Sequence, residues 1–200
     1  MEGEDRMSER ATLIILAGGE SKRMGCPKHL LPTAPGMTLI EHLHKHLSSL
    51  FTETLVVGND PGLQRMGVRT VKDLYPLRCP LVGIYSGLLA ANTDLCFVLA
   101  CDMPFVKPGL IQALLTRTSG NDVTVPVAEG YHEPLCAAYR QSAIPTIKEA
   151  LNQGTLKVTG IYEYLRVREV SERIVRQIDP ELSSFVNLNT PRELALLERL

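Results

Sequence analysis

The run ATLIILAGG, residues 11–19, decides the fold class of this chain. Its first seven residues form a short and almost wholly apolar run, which is typical of a β-strand buried on both faces of a sheet. A second run, LCFVLAC at residues 95–101, has the same character. Polar residues with glycine or proline follow both runs, so we expect each strand to end at a loop.

Predicted strands and helices alternate around these two runs. Apolar residues at positions 39, 40, 43, 47 and 50 have helical spacing, and Pro108 suits the first turn of a helix. This alternation indicates right-handed crossovers and a mainly parallel sheet. Further strands are predicted at 53–57, 68–72 and 122–126, and helices at 38–50, 83–92 and 108–118.

The regular alternation of predicted strands and helices ends after residue 126, but no linker divides the chain. We predict a flexible tail over residues 1–10 and a single domain over residues 11–200. Its expected fold is a Rossmann-like three-layer α/β/α sandwich with a mostly parallel sheet. The remaining predicted elements are strands at 135–139, 167–170 and 173–178, a helix at 144–152, and a terminal helix that begins with the capping box of Thr190 and Glu193.

The composition excludes several classes of protein. The chain has 200 residues, with 21 Lys+Arg against 22 Asp+Glu, so it has no electrostatic footprint for nucleic acid or an anionic membrane. No apolar run is long enough to cross a bilayer. The five cysteines form no CxxC pair, which favours reduced thiols over disulfides or a zinc site. We therefore expect a cytoplasmic protein with no nucleic-acid or membrane partner.

The segment GGESKRMGCPK, residues 18–28, directly follows the first strand. Glycines let a ligand approach the backbone, and successive N–H groups in a tight turn bind anions. Arg23 can form paired hydrogen bonds with a phosphate, and Lys28 can supply a point charge. Because open α/β sheets bind ligands at this end of the strands, the segment predicts a triphosphate site. It matches neither GxxxxGK[ST] nor GxGxxG, and the alternative is an ordinary polar loop.

Asp102 follows the second apolar run and should share an edge of the sheet with Gly18 if the two strands are parallel. A carboxylate there suits Mg²⁺, which binds through one or two carboxylates and substrate phosphates. The alternative is a helix N-cap before Pro104. Asn187 and Asn189 alternate on an extended segment, so their amides share one face, with a turn residue as the alternative for Asn189.

Five segments of the chain resemble, in order, the motifs of one enzyme family. Residues 16–28 resemble the LxGGxSxRMGxxK signature of the nucleotidyltransferases that make and modify molybdenum cofactor. The paired glycines favour the guanylyltransferase branch, since the cytidylyltransferases usually carry Ala-Gly there. The resemblance covers about residues 11–200. The other matching segments are PLVGI at 80–84, CDMPF at 101–105, HEPLCAAY at 132–139 and FVNLNTP at 185–191.

This resemblance to the molybdenum cofactor guanylyltransferase family implies a nucleotide-diphospho-sugar transferase-like fold and a Mg²⁺-dependent reaction. The implied substrates are GTP and molybdenum-bound molybdopterin, and the implied products are the guanine dinucleotide cofactor and pyrophosphate. Molybdenum-insertion proteins and molybdoenzyme chaperones are the candidate partner proteins.

The resemblance also implies roles for individual residues. Arg23, Lys28 and Asp102 would be catalytic, and Asp102 would hold the metal ion. Without the resemblance, Asp73 would be interpreted as a turn carboxylate. The residues implied to bind GTP are Leu16, Ala17, Gly18, Gly19, Lys28, Asn59, Asp73 and Asp102, and those implied on the pterin side are Arg78, Asn187 and Asn189.

The sequence departs from the family pattern in two places. Cys79 stands where the family has glycine before Pro-Leu, so either the loop tolerates a side chain or the pterin approaches differently. Asn59 falls one residue later than the family's asparagine. Three alternatives stay open: a molybdopterin cytidylyltransferase, a nucleotidyltransferase for another small phosphate, and a non-catalytic nucleotide-binding partner.

Other polar residues are interpreted structurally. The histidines at 42, 44 and 46 have metal-like spacing, but nothing nearby completes a site, and a solvated helix face is the favoured interpretation. Cys96 and Cys101 are expected to act as small hydrophobic residues. Cys26 lies among cations that could make its thiol reactive, but phosphate transfer requires no thiol.

Overall fold

The computed structural model describes residues 10–18, 30–33, 36–189, 193 and 197. Nearly all of the predicted N-terminal tail and Thr190, where the predicted terminal helix begins, lie outside the described residues. Within them, no helix is long and apolar enough to cross a membrane. The strands are β1 (Ala11–Leu16), β2 (Glu53–Val57), β3 (Arg69–Val71), β4 (Leu95–Ala100), β5 (Val123–Ala128), β6 (Tyr131–His132), β7 (Cys136–Arg140) and β8 (Val167–Val170), and the α-helices are α1 (Leu39–Leu47), α2 (Pro80–Ala90), α3 (Pro108–Leu115), α4 (Ile144–Asn152) and α5 (Glu172–Ile178).

The strands form one sheet in the order β3-β2-β1-β4-β7-β5-β6, and β8 pairs with β5. β1 to β4 run parallel, whereas β7 is antiparallel to both β4 and β5. Leu16 pairs with Val57 on one side and with Ala100 on the other, so β1, β2 and β4 end at the same level. We call this end of the sheet the carboxyl edge. The predicted mostly parallel sheet is confirmed.

Helices cover both faces of the sheet, and every residue of β1 and β4 is buried between them. On one face, α1, α3 and α5 pack against side chains such as Leu13 and Ile15. On the other face, α2 and α4 pack against side chains such as Ile14 and Leu55. These two cores confirm the three-layer arrangement and explain why the residues of the two strands are apolar except for Thr12.

The helix starts follow local capping chemistry. Thr38 caps α1, because its Oγ1 accepts from the N–H of Glu41 while the Glu41 carboxylate accepts from the N–H of Thr38 at 2.7 Å. α2 starts at Pro80, not at the predicted Gly83, since proline is well suited to the first position of a helix. The helix therefore begins three residues closer to the carboxyl edge than predicted.

The strand predicted at residues 173–178 is wrong, because this segment is the helix α5. Glu172 and Arg176 form an ion pair at 2.6 Å, one helical turn apart. Val175 is buried and Ile174 and Ile178 pack beside it, which is a helical face. The alternating sequence RIVRQI suggested a strand, but the spacing of its apolar residues also fits a helix.

The interpretation of the α1 histidines as a solvated face is wrong for His42. Its side chain is buried, and its ring meets that of His46 edge-on with the centroids 4.3 Å apart. Burial lowers the pKa of His42, and the neighbouring His46 and Lys45 lower it further. His42 is thus a core residue of the α1 face.

Candidate active site

The carboxyl edge brings the end of β1 next to the end of β4. The N–H of Ala17 donates to Val57 at 2.8 Å, and the N–H of Cys101 donates to Leu16 at 3.0 Å. Leu16 and Ala17 are buried, whereas Gly18 is exposed. Apart from the residues adjacent in the chain, no atom of the described residues lies within 4 Å of where a Cβ on Gly18 would be. The backbone therefore reaches the surface at Gly18, where a ligand can approach it.

Asp102 lies in the turn that follows β4, partly exposed at the carboxyl edge. The predicted shared edge with Gly18 is confirmed, because β1 and β4 are parallel and in register. The alternative of a helix N-cap at Asp102 is wrong, since the next helix begins at Pro108 with Lys107 at its N-cap. A carboxylate at the end of a central parallel strand is placed to face a ligand.

The donor chemistry at Asp102 fits Mg²⁺. The described residues contain no group of three or more His, Cys, Asp or Glu side chains that would enclose a metal ion. Mg²⁺ does not need such a cage, because it usually binds through one or two carboxylates and takes its other ligands from phosphates and water. One accessible carboxylate beside a predicted phosphate site is therefore a suitable donor set.

Asn59 and Asp73 form a paired contact on the β2–β3 side of the carboxyl edge. Asn59 Nδ2 donates to Asp73 Oδ2 at 2.9 Å, and the N–H of Asp73 donates to Asn59 Oδ1 at 3.1 Å. Burial raises the pKa of Asp73, and the hydrogen bond from Asn59 partly offsets that shift. The predicted base-side residues are thus in direct contact, although Asn59 lies one position later than in the family pattern.

Ser86, which was not predicted as a site residue, stabilises the loop that contains Asp73. Its fully buried hydroxyl accepts from the N–H of Leu74 at 3.0 Å and donates to Val82 at 2.8 Å. Gly83 lets the same helix approach the site, because a Cβ there would lie 3.0 Å from Leu16 Cδ2. The signal for Ser86 was a lone polar residue in a helix of small and apolar residues.

The start of α2 explains how the chain accepts Cys79 in place of glycine. Cys79 is the N-cap residue of α2, with a φ of −150° and a ψ of 156°. These are extended angles that any residue adopts, so the backbone does not require glycine here. The loop therefore tolerates a side chain at residue 79, and the approach of the pterin stays a prediction. Arg78 precedes it on the exposed part of the loop.

A C-terminal segment brings the two predicted pterin-side asparagines near Asp102. The N–H of Leu188 donates to the carbonyl of Asp102 at 2.9 Å, and the Leu188 side chain is fully buried. Asn187 is half-buried and Asn189 is exposed, and the N–H of Asn189 also donates to the carbonyl of Asn187 at 3.2 Å. The Glu193 carboxylate accepts from the N–H of Asn189 at 2.6 Å.

The predicted phosphate loop beyond Gly18 lies outside the described residues. This part includes Gly19, Arg23, Cys26 and Lys28, whose roles stay predictions. Cys96 and Cys101 are buried, as predicted, and burial raises the pKa of the Cys96 thiol to about 12.

Known relatives of this chain are nucleotidyltransferases, and the similarity covers nearly the whole chain. A family model described as a MobA-like NTP transferase domain matches residues 13–170. The molybdenum cofactor guanylyltransferase of Desulfosudis oleivorans is 38% identical over 193 residues, which cover 95% of this chain and 95% of that protein. The probable molybdenum cofactor guanylyltransferase of Pelotomaculum thermopropionicum is also 38% identical, over 92% of this chain and 90% of that protein.

Similar solved structures identify the fold of this chain. Molybdopterin-guanine dinucleotide biosynthesis protein A from Archaeoglobus fulgidus has a TM-score of 0.81 and 32% identity, over 94% of this chain and 97% of that chain. The 2-C-methyl-D-erythritol 4-phosphate cytidylyltransferase of Thermus thermophilus, with a TM-score of 0.66 and 19% identity over 93% of this chain and 96% of that chain, shares the fold. The nucleotide-diphospho-sugar transferase-like fold is therefore confirmed, and the chain belongs to the MobA-like NTP transferase family.

Proposed function

We propose that this chain transfers GMP from GTP to the phosphate of molybdenum-bound molybdopterin and releases pyrophosphate. The observation that carries this proposal is the arrangement of the carboxyl edge around Asp102. The contact between Asn59 and Asp73 lies on its β2–β3 side, and the segment with Asn187 contacts Asp102 itself. A nucleotide on the first side and an acceptor on the second would meet at Asp102. The names of the relatives supply the identity of the two substrates.

The reaction needs positioning and charge neutralisation more than acid–base chemistry. An oxygen of the acceptor phosphate attacks the α-phosphorus of GTP, a new P–O bond forms, and the bond to the β-phosphate oxygen breaks. The acceptor oxygen is already anionic, so no strong general base is required. Holding two polyanions in line then accounts for most of the catalysis.

The residues would divide this work between them. Backbone N–H groups near Gly18 would bind phosphate oxygens, Arg23 would offset phosphate charge, and Lys28 would stabilise the transferring α-phosphate. Asp102 would hold Mg²⁺, which when bound neutralises phosphate charge and assists the leaving pyrophosphate. Asn187 and Asn189 would face the pterin, whose edge offers several hydrogen-bond donors and acceptors.

Asp73 favours guanine over cytosine on the nucleotide side. Guanine presents two adjacent donors, N1–H and the 2-amino group, and a carboxylate is a pure acceptor. Asp73 Oδ2 already accepts from Asn59, and within the described residues Oδ1 accepts no hydrogen bond. A partly desolvated carboxylate at the carboxyl edge is therefore available to a guanine edge. The paired glycines at 18 and 19 point to the same branch.

Nucleotide binding with Mg²⁺ tests the proposal. GTP, CTP, ATP and UTP are compared by titration calorimetry for the parent, for Asp102→Ala and for Asp94→Ala. Pyrophosphate release is then followed with molybdenum-bound molybdopterin as acceptor. Asp94 lies just before β4, at the opposite edge of the sheet, and pairs with Arg140.

We expect GTP to bind most tightly, Asp102→Ala to weaken it about tenfold or more, and Asp94→Ala to leave it unchanged. Preference for CTP would favour the cytidylyltransferase alternative. Binding without pyrophosphate release would favour a nucleotide-binding partner without catalysis.

A further inference from the structure

Two segments of the chain, one of which contains Asp102, are connected by a set of hydrogen bonds. The first is the Asp102 turn, residues 102–107, and the second is the C-terminal segment, residues 182–189. The N–H of Leu188 donates to the Asp102 carbonyl at 2.9 Å, and the N–H of Lys107 donates to Ser184 Oγ at 3.1 Å. The two segments thus contact each other at both ends of the turn.

A fully buried carboxylate, Asp179, lies at the centre of this contact. Its Oδ1 accepts from Lys107 Nζ at 2.8 Å and from the hydroxyl of Ser183 at 2.8 Å. Its Oδ2 accepts from the N–H of Ser184 at 2.7 Å. One side chain therefore binds the Asp102 turn through Lys107 and the C-terminal segment through two serines.

The backbone around Asp179 depends on these bonds. Leu182 has a φ of 54°, a left-handed conformation that is costly for a residue with a branched side chain. The short 3₁₀ turn Ser183–Phe185 follows immediately, and its first N–H groups need acceptors. Asp179 supplies one acceptor to the Ser184 N–H and so stabilises the turn that leads to Asn187.

From these contacts, and on the basis of the function proposed above, we infer that Asp179 is a positioning residue that fixes the acceptor-side asparagines relative to Asp102. It is fully buried and acts through Lys107, Ser183 and Ser184. Loss of the carboxylate should let the C-terminal segment move away from the Asp102 turn. The nucleotide side, built from β1, β2 and β3, shares none of these contacts. The effect should therefore fall on the acceptor and not on GTP.

The matched control is Asp122, a second buried carboxylate with comparable hydrogen bonds. It accepts from Arg166 Nη2 at 2.7 Å and from the Ser142 hydroxyl at 2.6 Å. Asp122 precedes β5 at the edge of the sheet opposite Asp102. Asp122→Asn therefore reproduces the loss of a buried, paired carboxylate without disturbing the site.

Steady-state kinetics tests the inference with Asp179→Asn and Asp122→Asn. We expect Asp179→Asn to lower kcat/KM for molybdopterin about 10- to 100-fold while the Kd for Mg²⁺–GTP changes less than about twofold. Asp122→Asn should leave both values near those of the parent. Equal losses for acceptor and GTP in Asp179→Asn, or equal losses in the two variants, would overturn the positioning role.

Lys107→Met provides a second variant in case Asp179→Asn does not fold, because the Lys107 side chain is 40% exposed. It should reproduce the loss for molybdopterin more weakly. In the double variant the two losses should not add, since both residues act through one contact. Additive losses would overturn the inference.

Hydrogen exchange separates this inference from the proposed function. Amides of residues 182–189 should exchange faster in Asp179→Asn than in the parent or in Asp122→Asn, whatever the acceptor is. If the parent transfers no GMP but this exchange pattern is seen, the proposed function fails and the positioning role stands. If the exchange of residues 182–189 is the same in all three proteins, the positioning role fails even where GMP transfer is observed.

Discussion

Asn59 and Asp73 contact each other twice, side chain to side chain at 2.9 Å and backbone N–H to side-chain oxygen at 3.1 Å. The two residues follow the neighbouring parallel strands β2 and β3. Their contact fixes the Asp73 carboxylate at the carboxyl edge of the sheet, where the proposed guanine would lie. A nucleotide bound there would meet a carboxylate that is already oriented.

Asn59→Ala should weaken GTP binding without unfolding the protein. The substitution removes a donor to the Asp73 carboxylate and leaves the N–H of Asp73 without its acceptor, which costs about 1–3 kcal/mol where the groups are partly buried. We expect the Kd for GTP, measured by calorimetry, to rise about 5- to 100-fold. Asn121→Ala is the control, because its exposed amide donates only to the Ser119 carbonyl among the described residues. Unchanged GTP affinity in Asn59→Ala would show that the contact does not orient a base-binding group.

Gly87→Ala should destabilise the fold, although alanine is the better helix former by about 1 kcal/mol. The new Cβ would lie 2.6 Å from Cγ2 of Ile14, which is fully buried in β1. Overpacking of this kind costs about 1–3 kcal/mol, so the clash should outweigh the gain in propensity.

Thermal unfolding measures this balance, with a decrease in Tm of about 2–6 °C expected for Gly87→Ala. Gly160→Ala is the control, since its Cβ would make only an ordinary contact at 3.4 Å with Thr155. A rise in the Tm of Gly87→Ala would mean that α2 can move away from β1 at little cost.

Asp179 should make the free energy of unfolding depend on pH in the acidic range. Burial alone would raise its pKa, but hydrogen bonds from Lys107 and from the serines outweigh burial and lower the pKa to about 2. An unfolded aspartate has a pKa of about 3.9. The carboxylate therefore contributes its stability fully above about pH 4, and the contribution is lost as the pH falls toward 2.

Urea unfolding between pH 7 and pH 2 tests this dependence. Asp179→Asn should be less stable than the parent by about 2–3 kcal/mol at pH 7, and the difference should shrink below pH 4. Glu149 is an exposed carboxylate on α4, so the stability of Glu149→Gln should follow that of the parent over the whole pH range. A difference between parent and Asp179→Asn that stays constant down to pH 2 would contradict the low pKa.

The elements that the sequence predicts well are those with an unambiguous local pattern. β1 and β4 are buried on both faces, so nearly all of their side chains are apolar, and that pattern is visible without a structure. The start of α3 at Pro108 is equally local. The segment 173–178 fails because RIVRQI fits two periods, and only the packing of Val175 in the core decides between them.

The residues of the candidate site also differ in how far the sequence alone identifies them. Asp102 is located because it follows a predicted buried strand, whereas Asn59 and Asp73 are located by the family resemblance. Ser86 and Asp179 were missed, since their importance comes from hydrogen bonds between distant parts of the chain. Ser86 accepts from the N–H of Leu74, 12 positions away. In the segment that Asp179 orders, Ser184 accepts from the N–H of Lys107, 77 positions away. Such contacts depend on how α2 and the C-terminal segment fold back on the sheet. No local pattern records them.

Transfer of label from GTP labelled at the α-phosphorus, in the presence of Mg²⁺ and molybdenum-bound molybdopterin, tests the proposed reaction itself. We predict that label moves to the molybdopterin phosphate with one pyrophosphate released per transfer. Asp102→Asn should slow the transfer about 100-fold, and Asp94→Asn should not. Failure of the parent to transfer label from GTP, or a faster transfer from CTP under the same conditions, would contradict it.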